Sequence, residues 1–398
     1  MEPRKIRVLY IQHHGTAGGA PRSLIYLIKG FPAGAVEPFI LTPEGTVVNV
    51  FKQVTENVFT IPEVPEITSI AGGKYYYQRL LKTIWNHRTL TSIDEHLSAI
   101  KPDIVHLNDL SMSLIARLCR KRGYKVLVHA RVVLNDGVPL LNWALKRAIY
   151  RYADVVVAID GSVAAKLEGV RNLHIIYNPL HAKDLSTDPP ASDRPARPCN
   201  VLFLANLITY KGIFDLLEAV IILKEEKDST HVIIAGANSR PQKFFETLKG
   251  KLLKRIGIVR NVAEEIDAII KKYKLENVSF VGHVSDINSV LKKTDVLVFP
   301  SHMNGPSRSI FEAGAMGIPS IMALKDKVED VVQDGVNGLI IPERSPKALA
   351  QAILTLSKNP EMRARLGANA KSHFAVLNDP QRSANSMLGL YRKMLGIS

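Results

Sequence analysis

The stretch DVLVFPSHMNGPSRSIFEAGAMGIPSIMAL, residues 295–324, reads as strand, loop, helix and strand in turn. Its first apolar run, ending at Pro300, is short and rich in valine, the composition of a strand buried on both faces. Gly305 and Pro306 turn the chain, and a helix is expected near Ser307, with Ser307 or Ser309 as its cap. A second run, PSIMAL, follows, so the stretch is one unit of a parallel α/β sheet. It contains a single carboxylate between Pro300 and Ser320, Glu312, one to two turns into the helix. A carboxylate there can accept two hydrogen bonds from neighbouring sugar hydroxyls; pairing with a nearby lysine or arginine is the plainer alternative.

The same pattern extends in both directions. Upstream lie IRVLYI, PFILTP, NVFTIP, DIVHLN, KVLVHA, DVVVAI and LHIIYN, mostly separated by helix-length segments. Then HAKDLSTDPPASDRPARPCN, rich in Pro, Asp and Ser, has the composition of a linker. The pattern restarts with NVLFLA, HVIIAG, VSFVGH, DVLVFP, PSIMAL and GLIIP. The expectation is two Rossmann-like, doubly wound parallel-sheet domains facing across a cleft: residues 1–183, a linker 184–199, residues 200–375, and a C-terminal helix 376–398 returning to the first domain. In such sheets ligands bind beyond the carboxyl ends of the strands, a geometry suited to two substrates.

Composition limits the classes. The chain has 398 residues, 46% of them hydrophobic, and a net charge of +15, which favours anionic partners such as phosphorylated substrates, nucleic acid or an acidic membrane surface. Two cysteines, Cys119 and Cys199, show neither disulfide nor zinc spacing. The N-terminal apolar run of about six residues is shorter than a signal-peptide core, and no stretch of ~18 apolar residues occurs. A cytoplasmic protein is expected.

Two further loops suit anions. HHGTAGGAPRS places Gly18 and Gly19 ahead of a helix expected near Pro21, where amides and the helix dipole favour a phosphate; a ligand-free tight turn fits equally well. Lys211 and Gly212, in FLANLITYKGIFDLLEAV, stand at a helix entrance where a lysine can neutralise a diphosphate, or can simply be solvated.

From Asn200 to Ala350 the chain resembles the retaining family 4 glycosyltransferases of GT-B fold. The family's G-R-L-x-x-x-K-G appears as Ala205-Asn206-Leu207 through Lys211-Gly212; VSFVGHV, TDVLVFPS, EAGAMGIP and EDVVQDGVNGLI match four further motifs in order. The first half agrees more loosely, through GGAPRSL, KPDIVHLND, VLVHA and IIYNPL. The resemblance implies transfer of a sugar from a nucleotide diphosphate sugar, UDP-sugar favoured, with retention and without a metal or other cofactor. It assigns Glu312 to the donor ribose, and Lys211, the Gly18 and Gly19 amides and the helix start at Ser307 to the phosphates. Gly282 to Val284 face the base, and His129 the sugar; the catalytic set is His129, Lys211 and Glu312. His106 is expected to be structural. The family's first loop glutamate is Asn304 here, beside Gly305, and its diphosphate-binding arginine is Asn206, for which Arg308 is a candidate substitute.

The acceptor, a glycan or lipid-linked molecule in cell-surface polysaccharide or glycolipid synthesis, belongs with the first domain. In KYYYQRLLKTIWNHR, the residues Lys74, Tyr77, Arg79, Lys82 and Trp85 make a basic, aromatic amphipathic segment suited to an anionic membrane, or to packing on the sheet. KFFETLKGKLLKRIGIVR, residues 243–260, lengthens the second domain with no assigned role. Two other classes remain open: a nucleotide-sugar-binding protein weakened in catalysis by Asn206 and Asn304, and a basic nucleic-acid-binding protein, although no recognised module for the latter is present.

Overall fold

The computed structural model describes residues 4–67, 87–180, 197–238, 240–303, 305–325, 328 and 330–397. Lys74, Tyr77, Arg79, Lys82, Trp85, Asn304 and most of the expected linker lie outside the described residues. The chain divides into two compact units, residues 1–181 with 378–398, and residues 182–377.

The first unit is built on seven parallel strands: β1 (Ile6–Ile11), β2 (Val36–Pro43), β3 (Val58–Ile61), β4 (Ile104–Leu107), β5 (Lys125–Ala130), β6 (Val155–Ala158) and β7 (Leu173–Ile175). Their order is β3-β2-β1-β4-β5-β6-β7, with the reversal of winding between β1 and β4. Successive residues point to opposite faces, so each strand feeds two cores. Leu9, Ile11, Val105 and Leu107 pack with Ile93, Leu97, Ile115 and Ile149 on one side. Val8, Tyr10, Ile104 and Leu127 pack with Leu24 and Ile28 on the other. That second core is completed by Met387, Leu388 and Tyr391 of the C-terminal helix Pro380–Leu395. This helix approaches Gly19–Gly30 so closely that a Cβ at Gly30 would sit 2.7 Å from the Pro380 carbonyl oxygen.

The second unit repeats the plan with β8 (Asn200–Leu204), β9 (His231–Ala235), β10 (Val278–Gly282), β11 (Val296–Phe299), β12 (Ser320–Ala323) and β13 (Gly338–Ile341), in the order β10-β9-β8-β11-β12-β13. Its reversal lies between β8 and β11, at the loops that hold Lys211 and Pro300. Val201, Phe203, Val296 and Val298 pack with Ile213, Leu217, Leu349 and Ile353. Both cysteines are free and buried. Among the described residues, no helix is long and apolar enough to cross a membrane.

Candidate active site

In the second unit, β8 runs into a loop that closes with a short 3-10 turn, Thr209–Lys211, and Gly212 in the left-handed region at φ 78°. A Cβ on Gly212 would meet the Pro300 carbonyl oxygen at 1.8 Å, so only glycine permits the approach. The two loops are then joined by polar contacts: His302 N–H donates to the Tyr210 carbonyl at 2.8 Å, and His302 Nε2 meets Asp215 Oδ2 at 2.8 Å. His302 and Asp215 escaped the sequence reading, since nothing local connects a loop histidine to an aspartate 87 residues away.

This arrangement places the Lys211 ammonium 4.9 Å from the Phe299 ring centroid and 5.4 Å from that of Tyr210. No carboxylate pairs with it among the described residues. Burial lowers its pKa from the ordinary 10.5 to about 8. The site therefore contains a partly dehydrated cation whose natural complement is an anion.

The helix after β11 spans Arg308–Ala315 with Ser307 at the cap position. The Ser307 hydroxyl bonds to Ser309 Oγ instead of to a helix amide. Glu312 is 6% exposed, and its Oε1 accepts from Arg308 Nε at 2.8 Å, one turn earlier. Arg308 thus holds the carboxylate expected to bind a ribose, which is the arginine pairing that the sequence offered as the plainer alternative for Glu312. Asn206 is exposed; the Gly282 carbonyl accepts from Gly236 N–H at 2.7 Å, while Val284 follows half-buried. Gly305 directly follows Asn304 and is itself half-buried.

In the first unit, Gly18 stands at the N-cap of Gly19–Gly30, two residues before the expected start, with no side chain capping it. A Cβ at Gly18 would meet open space, but the Gly18 N–H, expected to face a phosphate, donates to the Thr16 carbonyl at 2.9 Å. At the ends of β4 and β5 a buried polar network has formed. Tyr391 Oη bonds His106 Nδ1 at 2.6 Å, and His106 Nε2 lies 3.2 Å from His129 Nδ1. Arg131 Nη2 lies 3.3 Å from the same His129 nitrogen, while Arg131 Nε donates to Asn108 Oδ1 at 2.7 Å and Nη1 to Asn178 Oδ1 at 2.6 Å. Burial, followed by the Arg131 charge, holds both histidines well below the ordinary imidazole pKa. Arginine only donates, so His129 Nδ1 accepts and its proton resides on Nε2. That Nε2 is buried and has no hydrogen-bond partner among the described residues. His106 takes the structural place expected of it. Of the network's other members, Asn108 and Arg131 carry only a period-two signal, two residues after His106 and His129, while Tyr391 and Asn178 carry none.

Among the described residues, His13, His14 and Glu66 bring one ligand atom each within 4.8 Å of one another. Glu66 Oε2 stands 3.9 Å from His13 Nε2 and 4.0 Å from His14 Nε2. Tetrahedral zinc would draw such atoms to about 3.3 Å, so these residues form an imidazole–carboxylate cluster that an ion would have to tighten.

Two family models match the chain in tandem: Glycosyltransferase Family 4 over residues 17–183, and Glycosyl transferases group 1 over residues 186–373. The chain belongs to the family 4-type GT-B glycosyltransferases. This glycosyltransferase is 24% identical over 314 residues to a Bacillus subtilis protein carrying the glycosyltransferase name EpsD, covering 73% of the chain and 76% of that relative. Other curated relatives are matched over 60% of their length or less; the Staphylococcus aureus capsular polysaccharide biosynthesis glycosyltransferase CapM is 25% identical over 42% of this chain and 39% of its own. In fold it is similar to Anabaena Alr3699/HepE, crystallised with UDP-glucose, at a TM-score of 0.76 and 18% identity, covering 98% of this chain and all of that one. Membership of this family sets the nucleic-acid-binding reading aside.

Proposed function

We propose that this enzyme moves a sugar from a UDP-sugar to a glycan or lipid-linked acceptor, retaining anomeric configuration and using no metal ion, in cell-surface polysaccharide or glycolipid synthesis. The observation that carries the reading is Lys211, an ammonium at the reversal of the second sheet, above two aromatic rings and without a carboxylate partner among the described residues. A departing UDP supplies the anion. Lys211 and the amides at the Ser307 helix start take its charge in place of a metal, and Glu312 holds the ribose hydroxyls. The leaving diphosphate accepts the acceptor's proton on the face it departs from, so no enzymic nucleophile is required. His129 contributes its Nε2–H to a sugar oxygen, and the start of the Gly19–Gly30 helix favours the phosphates through its dipole. The UDP-glucose complex of HepE favours uridine as the base, and the name of CapM favours a polysaccharide pathway. Contact of the segment 74–88 with a membrane on its cytoplasmic side belongs to the same proposal.

One observation favours a second reading, a nucleotide-sugar-binding protein without turnover: Asn206 replaces the family's arginine, and Arg308 is held by Glu312. Melting of the protein with UDP, GDP, ADP and their sugar conjugates, with and without EDTA, followed by assay of UDP release, separates the two. A ligand at about 100 times its Kd stabilises by about 2.7 kcal/mol. Stabilisation by UDP with UDP release supports transfer; stabilisation without release supports the second reading. No response to any nucleotide removes both.

A further inference from the structure

Residues 242–260 take no part in the proposed reaction. They fold as two short helices, Gln242–Glu246 and Leu248–Arg255, hinged at Thr247. The inner side of this hairpin is complete. Phe245 is buried, Thr247 Oγ1 accepts from Gly250 N–H at 3.0 Å, and a Cβ at Gly250 would meet the Phe244 carbonyl oxygen at 1.9 Å. Lys254 and Arg260 fasten it to Glu264 and Glu265 of the following helix, Val262–Tyr273.

The outer side is not complete. Leu248 is 87% exposed, Leu252 59% and Ile256 56%, with Ile258 exposed beyond them. At about 100° per residue the first three lie within about 80° of arc. Lys249 flanks this stripe on one side, and Lys251 and Arg255 on the other. All three are exposed, and none has an acidic partner among the described residues. The segment as a whole has six basic residues and one acidic residue, Glu246.

We propose that this hairpin is a docking surface for an anionic lipid bilayer, with the aliphatic stripe at the acyl boundary and the flanking cations among the headgroup phosphates. Charge complementarity selects this occupant. Two copies of so basic a face repel each other, and a stripe without aromatic rings offers nothing on which nucleic-acid bases could stack. The proposal rests on the surface of the second unit alone and is independent of the transfer reaction.

Co-sedimentation of the full chain with phosphatidylcholine vesicles, either pure or containing about a third phosphatidylglycerol, tests it. Binding is expected only to the anionic vesicles, weakening as salt is raised. The variant L248E/L252E should lose about tenfold or more in partition, and K249E/K251E/R255E about a hundredfold. Both should keep the parent melting temperature and UDP response, since these side chains face outward. A fluorophore on L252C should shift to the blue on anionic vesicles, and one on K272C should not; Cys119 and Cys199 are buried and resist labelling. Unchanged partition of both variants overturns the proposal. So does equal binding to neutral vesicles, or loss of binding on L140S/W143S, which alters the exposed Leu140 and Trp143 of the first unit, with L248E/L252E unaffected.

Discussion

Lys211 permits a quantitative test, because its burial and its lack of a carboxylate partner among the described residues act in opposite directions on stability and function. Lowering its pKa from 10.5 to about 8 means that the folded protein disfavours the ammonium by about 3 kcal/mol relative to the unfolded chain. With the folded pKa below the unfolded one, the unfolded chain binds more protons between pH 8 and 10.5, so this group's contribution to stability rises with pH across that window. At pH 7 nearly the whole penalty is present. Replacing Lys211 with the uncharged methionine, of similar length, should therefore stabilise the ligand-free protein at pH 7 by up to about 3 kcal/mol, several degrees in Tm. The same variant should lose about 10²–10³ in kcat/KM, because a charge at 4 Å in an effective dielectric of about 20 is worth about 4 kcal/mol to the developing diphosphate. In the parent, kcat/KM for the donor should fall about tenfold per pH unit above 8. UDP binding near pH 8 should take up protons, measurable by calorimetry in buffers of different ionisation enthalpy. Scanning calorimetry with and without UDP then decides. If K211M melts at or below the parent temperature and still responds to UDP as the parent does, Lys211 is not a dehydrated cation awaiting an anion.

Three further outcomes follow from the geometry. Gly212→Ala forces a side chain onto the Pro300 carbonyl at positive φ and should cost about 2 kcal/mol or more in denaturant unfolding, with loss of the UDP response; an unperturbed variant would show that the two loops are not locked together. Tyr391→Phe leaves His106 Nδ1 without its buried partner and should lower stability by about 1–3 kcal/mol, read from the denaturation midpoint; no change would dissolve the network as described. EDTA should leave the rate of transfer unchanged, and a rate restored by added zinc or manganese after EDTA treatment would move the chemistry to a metal, with the His13–His14–Glu66 cluster the first place to examine by substitution.

Both sheets were legible in the sequence because a parallel strand buried on two faces leaves a short apolar run, and such runs recur along the chain. The places of Lys211, Gly212 and Glu312 in loops and helix starts after their strands were legible for the same local reason: each stands at a fixed offset from the end of its strand. The beginning of the first helix was misplaced by two residues, since Pro21 marks a helix start strongly while the actual cap is Gly18, a residue without a side chain to announce it. Arg308 and Glu312 stand at an i, i+4 spacing that permits a pair, and only the structure shows Arg308 Nε donating to the Glu312 carboxylate.

What the sequence by itself determined is what the backbone's own periodicities encode: two doubly wound domains, their order along the chain, and the positions of the loops at their strand ends. What only the tertiary structure decided is which distant side chains meet. Tyr391 reaches His106 across 285 residues and His302 reaches Asp215 across 87. Leu248 and Leu252 face outward because Phe245 and Gly250 already fill the inner side of the hairpin. An apolar stripe has the same spacing whether it faces a core or solvent, so only the filled space beside it determines its direction.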